Sequence, residues 1–365
     1  MLLTILVFLL ILTVSVVIHE LAHYFNARSV GVPVRSFSVG FGPVLWRKKW
    51  RGTEWRVSAL PLGGYVDLEG MAPVEAEDGT MRYPTTGFVA KTFWQKTWVL
   101  IGGVIANFIL ALLLLSAVIS SAPNSPARSL ITGAVPQSFG TVFQNIEPGS
   151  FAARFGLQAG DEVLSINGVR NPTVEQMQAA IRTDSTLNLL LERGSERVRV
   201  ERPWPPADSE GTPVLGVVLA PLRIENLPPV PFGAALVQTT GFLLRVVPES
   251  VTGIFRAFGD TFTGQRSEEV AGPVGMVSMA NQAVQSGWIS VLTFAGLINF
   301  SLAVFNLLPI PGLDGGRILF AAVTALRGKP FKPGQEEFVN FLGLALLMLF
   351  VALISFGEIG DLIRR

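Results

Sequence analysis

Both histidines of the 365-residue chain lie in one five-residue stretch, His19-Glu20-Leu21-Ala22-His23. On an α-helix, residues four apart share a face, so the two imidazoles can offer nitrogens to one metal ion with Glu20 beside them. Paired histidines next to a carboxylate form the arrangement that holds zinc for hydrolysis, with Glu20 in the position of a general base. The chain has no cysteine, which excludes thiolate nucleophiles, thiolate ligands and disulfides together. A third protein ligand is then a carboxylate, either Asp314 or one of Glu336 and Glu337. Asp314 precedes Gly315-Gly316 and an apolar run, so helix capping competes with ligation for it.

The element that carries the histidines is itself informative. Residues 2–18 hold no charged side chain and run directly into the motif, which reads as a membrane span. Ionisable groups at membrane depth are costly and functional by default. Composition agrees, with 49% hydrophobic residues, 15% charged residues and a mean hydropathy of +0.48. A formal net charge of +1, with no basic cluster interleaved with stacking aromatics, excludes nucleic acid as a partner. The N-terminus lacks a Lys/Arg leader region and a small-residue cleavage site, so the first span is expected to be retained.

The pattern predicts a polytopic α-helical membrane protein of about four transmembrane helices, at residues 1–25, 96–121, 286–309 and 338–357. Basic residues crowd the loop 26–95, which the positive-inside rule makes cytoplasmic. The metal motif and Asp314, in the connector 310–337, then share the cytoplasmic side. Within the loop, residues 54–60 can pair with 44–47 across Lys48-Lys49-Trp50-Arg51-Gly52, a membrane-associated β-hairpin element. Residues 71–87 read as an acidic connector. In the second span Asn107 needs a partner, either a neighbouring helix or the active cavity. Residues 126–222 alternate short strands and helices with tight turns at 156–161 and Asn167-Gly168, an inserted α+β domain. Residues 228–275 are expected to form a pair of amphipathic surface helices and a connector.

Taken together, these residues resemble the site-2 protease family of intramembrane zinc proteases, of the bacterial regulator-of-sigma-E protease type. The likeness rests on the metal motif, Ser38-Val39-Gly40-Phe41-Gly42, Pro61-Leu62-Gly63-Gly64-Tyr65-Val66, residues 103–107, residues 272–275, Asn306-Leu307-Leu308-Pro309 and Leu313-Asp314-Gly315. Residues 156–168 resemble a PDZ domain, which takes an extended peptide in its groove. The resemblance implies Zn2+ held by His19, His23 and Asp314, with Glu20 as the catalytic base. It implies substrate contacts at Asn306, Asn107, Val39, Gly40 and Phe41, the hairpin holding substrate as a strand added at an edge formed by residues 34–39. The implied substrates are single-span transmembrane proteins, either anti-sigma factors or signal-peptide remnants, with the PDZ domain gating access. The implied setting is the lipid bilayer of the bacterial cytoplasmic (inner) membrane, with the PDZ domain extracytoplasmic. The chain departs from the family pattern in having one PDZ domain where well-known relatives have two, and Leu21-Ala22 where Phe-Gly is usual. A proteolytically inactive PDZ-bearing scaffold or chaperone is the rival reading, and the intact Glu20 and Asp314 argue against it. A transporter would repeat ionisable residues mid-span in matching halves, and the third and fourth spans carry none.

Overall fold

The computed structural model describes residues 2–75, 81–134, 138–205, 214–224, 227–263 and 270–364. Parts of the connectors expected at 71–87 and 228–275 therefore lie outside the described residues. The chain divides into a helical unit, Met1–Thr132 with Val230–Arg365, and an inserted unit, Gly133–Pro229.

The helical unit opens with α1 (Leu2–Ser29), which carries the metal motif. Two long bent strands follow, β1 (Val34–Trp50) and β2 (Thr53–Leu68), then the short pair β3 (Val74–Glu75) and β4 (Met81–Arg82). Helix α2 (Phe93–Ser121) starts with a capping box in which Thr92 and Gln95 satisfy each other's backbone N–H, and α3 (Pro126–Thr132) comes after it. Beyond the inserted unit come α6 (Phe232–Phe262), α7 (Pro273–Gln285), α8 (Trp288–Leu307), α9 (Asp314–Arg327) and α10 (Gln335–Arg364). Helices α1, α2 and α8, and Gln335–Gly360 of α10, are long and apolar enough to cross a membrane. The protein is thus a polytopic helical membrane protein with a β-containing domain. Leu2, Leu3, Leu6 and Leu10 of α1 and Phe338, Phe341 and Phe356 of α10 are exposed, as lipid-facing residues are.

Three features differ from the expectations. Residues 232–262 form one helix, not a pair, because Pro248 sits inside it without ending it. That helix also buries Ala235, Phe242 and Leu243 against Leu115 and Ile119 of α2, so its apolar face meets protein. The segment Pro126–Thr132, expected to open the inserted domain, belongs to the helical unit because Ala127 and Ile131 lie in the same core. Gly272 caps α7, with Pro273 in the first turn where its missing N–H costs nothing.

The loop sheet is also built differently from the expected hairpin. Trp50 pairs with Thr53 across Arg51-Gly52, and Arg47 pairs with Arg56, as the alternation requires. Phe37, however, has partners on both sides, Trp55 and Val66, and Ser38 likewise pairs with Arg56 and Tyr65. Residues 36–39 are therefore interior to the sheet and not part of the edge expected over 34–39. The reason is local: Gly40 and Gly42 take φ of +86° and +85°, folding the second half of β1 back so that its hairpin covers the first half. A side chain at Gly40 would strike the carbonyl of Leu60. The sheet packs on α1 and α2 through Tyr24, Ala27, Phe37, Leu68 and Val99, and Thr13 Oγ1 donates to the Pro61 carbonyl at 2.8 Å.

The inserted unit has its own core, including Phe143, Ile166, Met177, Leu189 and Trp204. Its elements are β5 (Ser138–Ile146), α4 (Phe151–Arg154), β6 (Glu162–Ile166), β7 (Val169–Arg170), α5 (Val174–Thr183), β8 (Thr186–Arg193), β9 (Glu196–Pro203) and β10 (Val217–Ile224). The sheet order is β10-β5-β6-β8-β9, with β7 hairpinned onto β6. Strand β10 was not anticipated, and it pairs with β5 from the far end of the unit.

Candidate metal centre

His19 and His23 lie one turn apart on α1 and are buried, at 8% and 6% exposure. Their rings meet edge to face with centroids 4.7 Å apart, which brings the two Nε2 atoms to 3.0 Å. Asp314 arrives from the start of α9, its Oδ2 3.1 Å from His19 Nε2 and 3.2 Å from His23 Nε2. Among the described residues this is the one cluster of His, Asp and Glu groups close enough to hold a metal ion. Despite those distances Oδ2 has no hydrogen-bond partner of acceptable geometry. Three donor atoms thus converge on one point, as metal ligands do. Donors about 2.0–2.1 Å from a tetrahedral zinc lie about 3.3 Å apart, and the triangle fits that set.

Local sequence explains how Asp314 gets there. Helix α8 ends at Leu307, with Leu308 as its cap, because Pro309 cannot continue it, and Ile310 N–H closes a turn on the Leu308 carbonyl at 2.7 Å. Gly312, at φ +95°, turns the chain and donates its N–H to Asn340 Oδ1 on α10 at 3.0 Å. The cap of α9 is Leu313, and no side chain caps it. Asp314 is the first residue inside the helix, so its carboxylate is not spent on capping. Gly315 and Gly316 press on the carbonyls of Leu307, Leu308 and Ile310, where any side chain would collide. The Gly-Gly pair thereby seats the first turn of α9 against the end of α8.

Helix α2 supplies the support behind the histidines. His23 Nδ1 lies 2.8 Å from the Val99 carbonyl; because a carbonyl only accepts, Nδ1 carries the proton and Nε2 keeps its lone pair for a metal. His19 packs on Gly103, where a methyl group would fall on the imidazole ring. Replacing Gly103 with alanine is therefore expected to displace His19 and lower zinc occupancy of the purified protein. Gly241→Ala, at a helical glycine with open space around it, is expected to leave zinc unchanged, and metal analysis of both variants checks the pair.

The remaining expected site residues are distributed unevenly. Glu20 is half-buried on α1, with the Val66 backbone of β2 beside its carboxylate. Asn107 is 1% exposed and its amide lies 3.3 Å from His19 Nδ1, so it stands behind the ligand. Asn306 gives its amide N–H to the Leu302 carbonyl of its own helix at 3.0 Å. Val39 is paired within the sheet, Gly40 forms its bend, and Phe41 is exposed and stacks on Tyr65. Glu337 is engaged elsewhere, accepting from Tyr83 at 2.8 Å and from the Gly334 N–H at 2.9 Å. A further anchor, Asn299, donates to Ser15 Oγ at 2.9 Å and ties α8 to α1 one turn before His19. Its sequence signal is a pair of small polar residues within two apolar spans, where each needs a partner.

The family model for peptidase family M50 matches residues 7–350, which include all three converging residues and Glu20. The chain belongs to peptidase family M50. Among its relatives, the "Zinc metalloprotease RasP" of Bacillus licheniformis is 28% identical over 98% of both chains. The "Regulator of sigma-W protease RasP" of Bacillus subtilis is 26% identical over 98% of both chains. A Nostoc protein that carries a zinc metalloprotease name is 32% identical, covering 93% of this chain and 91% of its own. This M50 peptidase is accordingly a zinc metalloprotease set in a lipid bilayer.

Proposed function

We propose that the protein cleaves peptide bonds inside the transmembrane segments of single-span membrane proteins. The observation that carries the reading is the convergence of His19, His23 and Asp314 on one point beside Glu20, on helices suited to a bilayer. His19 and His23 through Nε2 and Asp314 through Oδ2 would hold the zinc. When bound, the zinc supplies Lewis-acid polarisation of the scissile carbonyl and of water. Glu20 takes the proton of the attacking water and returns it to the leaving amide nitrogen.

A helical substrate hides its carbonyls in its own hydrogen bonds, so the segment to be cut must first be extended. An extended segment in lipid needs new backbone partners. Because residues 36–39 are paired on both sides, the strand that receives it is the outer edge of β2 at Gly64–Val66, beside Glu20, where Tyr65 stacks on Phe41. Asn306, released from Leu302, adds a side-chain donor. Anti-sigma-factor-like proteins and signal-peptide remnants are the substrates of matching form. The cut then lies toward the cytoplasmic side of the bacterial inner membrane, where the basic loop puts the metal motif.

The inserted unit, read as a PDZ domain, screens what reaches the site, with extended peptides in its groove as a second use. Replacing Gly133–Pro229 with a short flexible linker is expected to let substrates with intact external domains be cut, while trimmed substrates are cut as before. Loss of trimmed-substrate cleavage in a stably folded deletion protein would make the unit a required docking site. The protease reading itself is tested by reconstituting the full chain in liposomes with a single-span substrate. Cleavage should stop with a zinc chelator and return on adding zinc.

A further inference from the structure

We infer that Asn107 is a positioning residue of the metal centre, its Oδ1 accepting the Nδ1 proton of His19 so that the His19 Nε2 lone pair faces the ion. The inference rests on His19, His23 and Asp314 being the zinc ligands. Val99, Gly103 and Asn107 are spaced four apart and so form one line down α2. Each meets the histidine pair: the Val99 carbonyl takes His23 Nδ1, Gly103 leaves room for the His19 ring, and Asn107 stands at His19 Nδ1.

The amide orientation decides the role. In one orientation Asn107 Nδ2 faces His19 Nδ1 at 3.3 Å, and Oδ1, on a residue 1% exposed, has no partner. A histidine that ligates through Nε2 carries its proton on Nδ1 and needs an acceptor there, which an NH2 group is not. The two ends of a carboxamide are nearly the same size and its orientation is assigned from the hydrogen bonds it must make. Turning it over sets Oδ1 against Nδ1–H and makes the two histidines equivalent, each held by an oxygen of α2. A role as simple glue between spans would call for a bond from Asn107 to a polar group other than the ligand. A role as substrate contact would call for an exposed amide.

Because the chain has two histidines, 15N-histidine labelling of the full-length zinc-loaded protein in detergent reads four ring nitrogens directly. Asn107→Asp keeps an oxygen acceptor and is expected to shift the His19 Nδ1 resonance while leaving that of His23 in place. Asn107→Leu, with no acceptor, is expected to release zinc to a competing chelator about 10–100-fold more readily, with Asn107→Asp close to the unsubstituted protein. Unchanged zinc retention in folded Asn107→Leu, or an unmoved His19 Nδ1 resonance in Asn107→Asp, would overturn the inference. Should Asn107→Leu fail to fold, the Asn107→Asp spectrum decides alone. His19→Ala separates the two levels: full zinc in that variant would refute the ligand set itself, whatever Asn107 does.

Discussion

Asp314→Ala is expected to strip zinc from the purified protein while leaving its fold in place. Removing the carboxylate leaves two imidazoles, and two ligands do not make a catalytic zinc site. The helix should survive because Asp314 does not cap α9 and its Oδ2 makes no hydrogen bond that the fold would lose. Zinc per chain should fall from near one to near zero, with cleavage falling in step. Glu337→Ala is the matched control, since it breaks the contact to Tyr83 but touches no ligand. Full zinc in Asp314→Ala would leave the converging triangle without a metal to explain it.

The second large effect is expected at Glu20. Glu20→Gln preserves shape and leaves His19, His23 and Asp314 untouched, so zinc should remain bound. A carboxamide cannot take a proton from water, and the loss of a positioned general base lowers turnover by about 10²–10⁴-fold. Zinc content and single-turnover cleavage must be measured on the same preparation, because the pairing of full metal with lost turnover is what distinguishes base from ligand. Turnover within a few-fold of the unsubstituted enzyme would assign the proton transfer to another group.

These two residues also show why part of the site was legible in the sequence. The i, i+4 spacing of His19 and His23 fixes their common face before any tertiary structure forms, and the absence of cysteine narrows the third ligand to a carboxylate. Composition left Asp314, Glu336 and Glu337 open and the family resemblance implied Asp314; what the sequence did not show is how the turn at Pro309–Gly312 and the glycines that let α9 close on α8 bring it to the histidines. The spans were legible because apolar runs of bilayer length have few alternatives. The sheet was not, because Gly40 and Gly42 reverse the chain in a way that strand alternation alone does not record. The partner of Asn107 was likewise hidden: a polar residue in a span announces that it needs a partner, but only packing says which. Helix α6 misled for a third reason, since its charged residues suggested a water-facing surface while its apolar stripe lies on α2.

The most direct measurement is the position of the cut. A single-span substrate should be incubated with the full-length enzyme in liposomes, with and without a zinc chelator, and the fragments weighed by mass spectrometry. An intramembrane zinc protease yields two fragments whose masses place the broken bond inside the apolar segment, and neither fragment appears with the chelator or with Glu20→Gln. Fragments that end only in the soluble flanks, or that form equally with zinc removed, would contradict it.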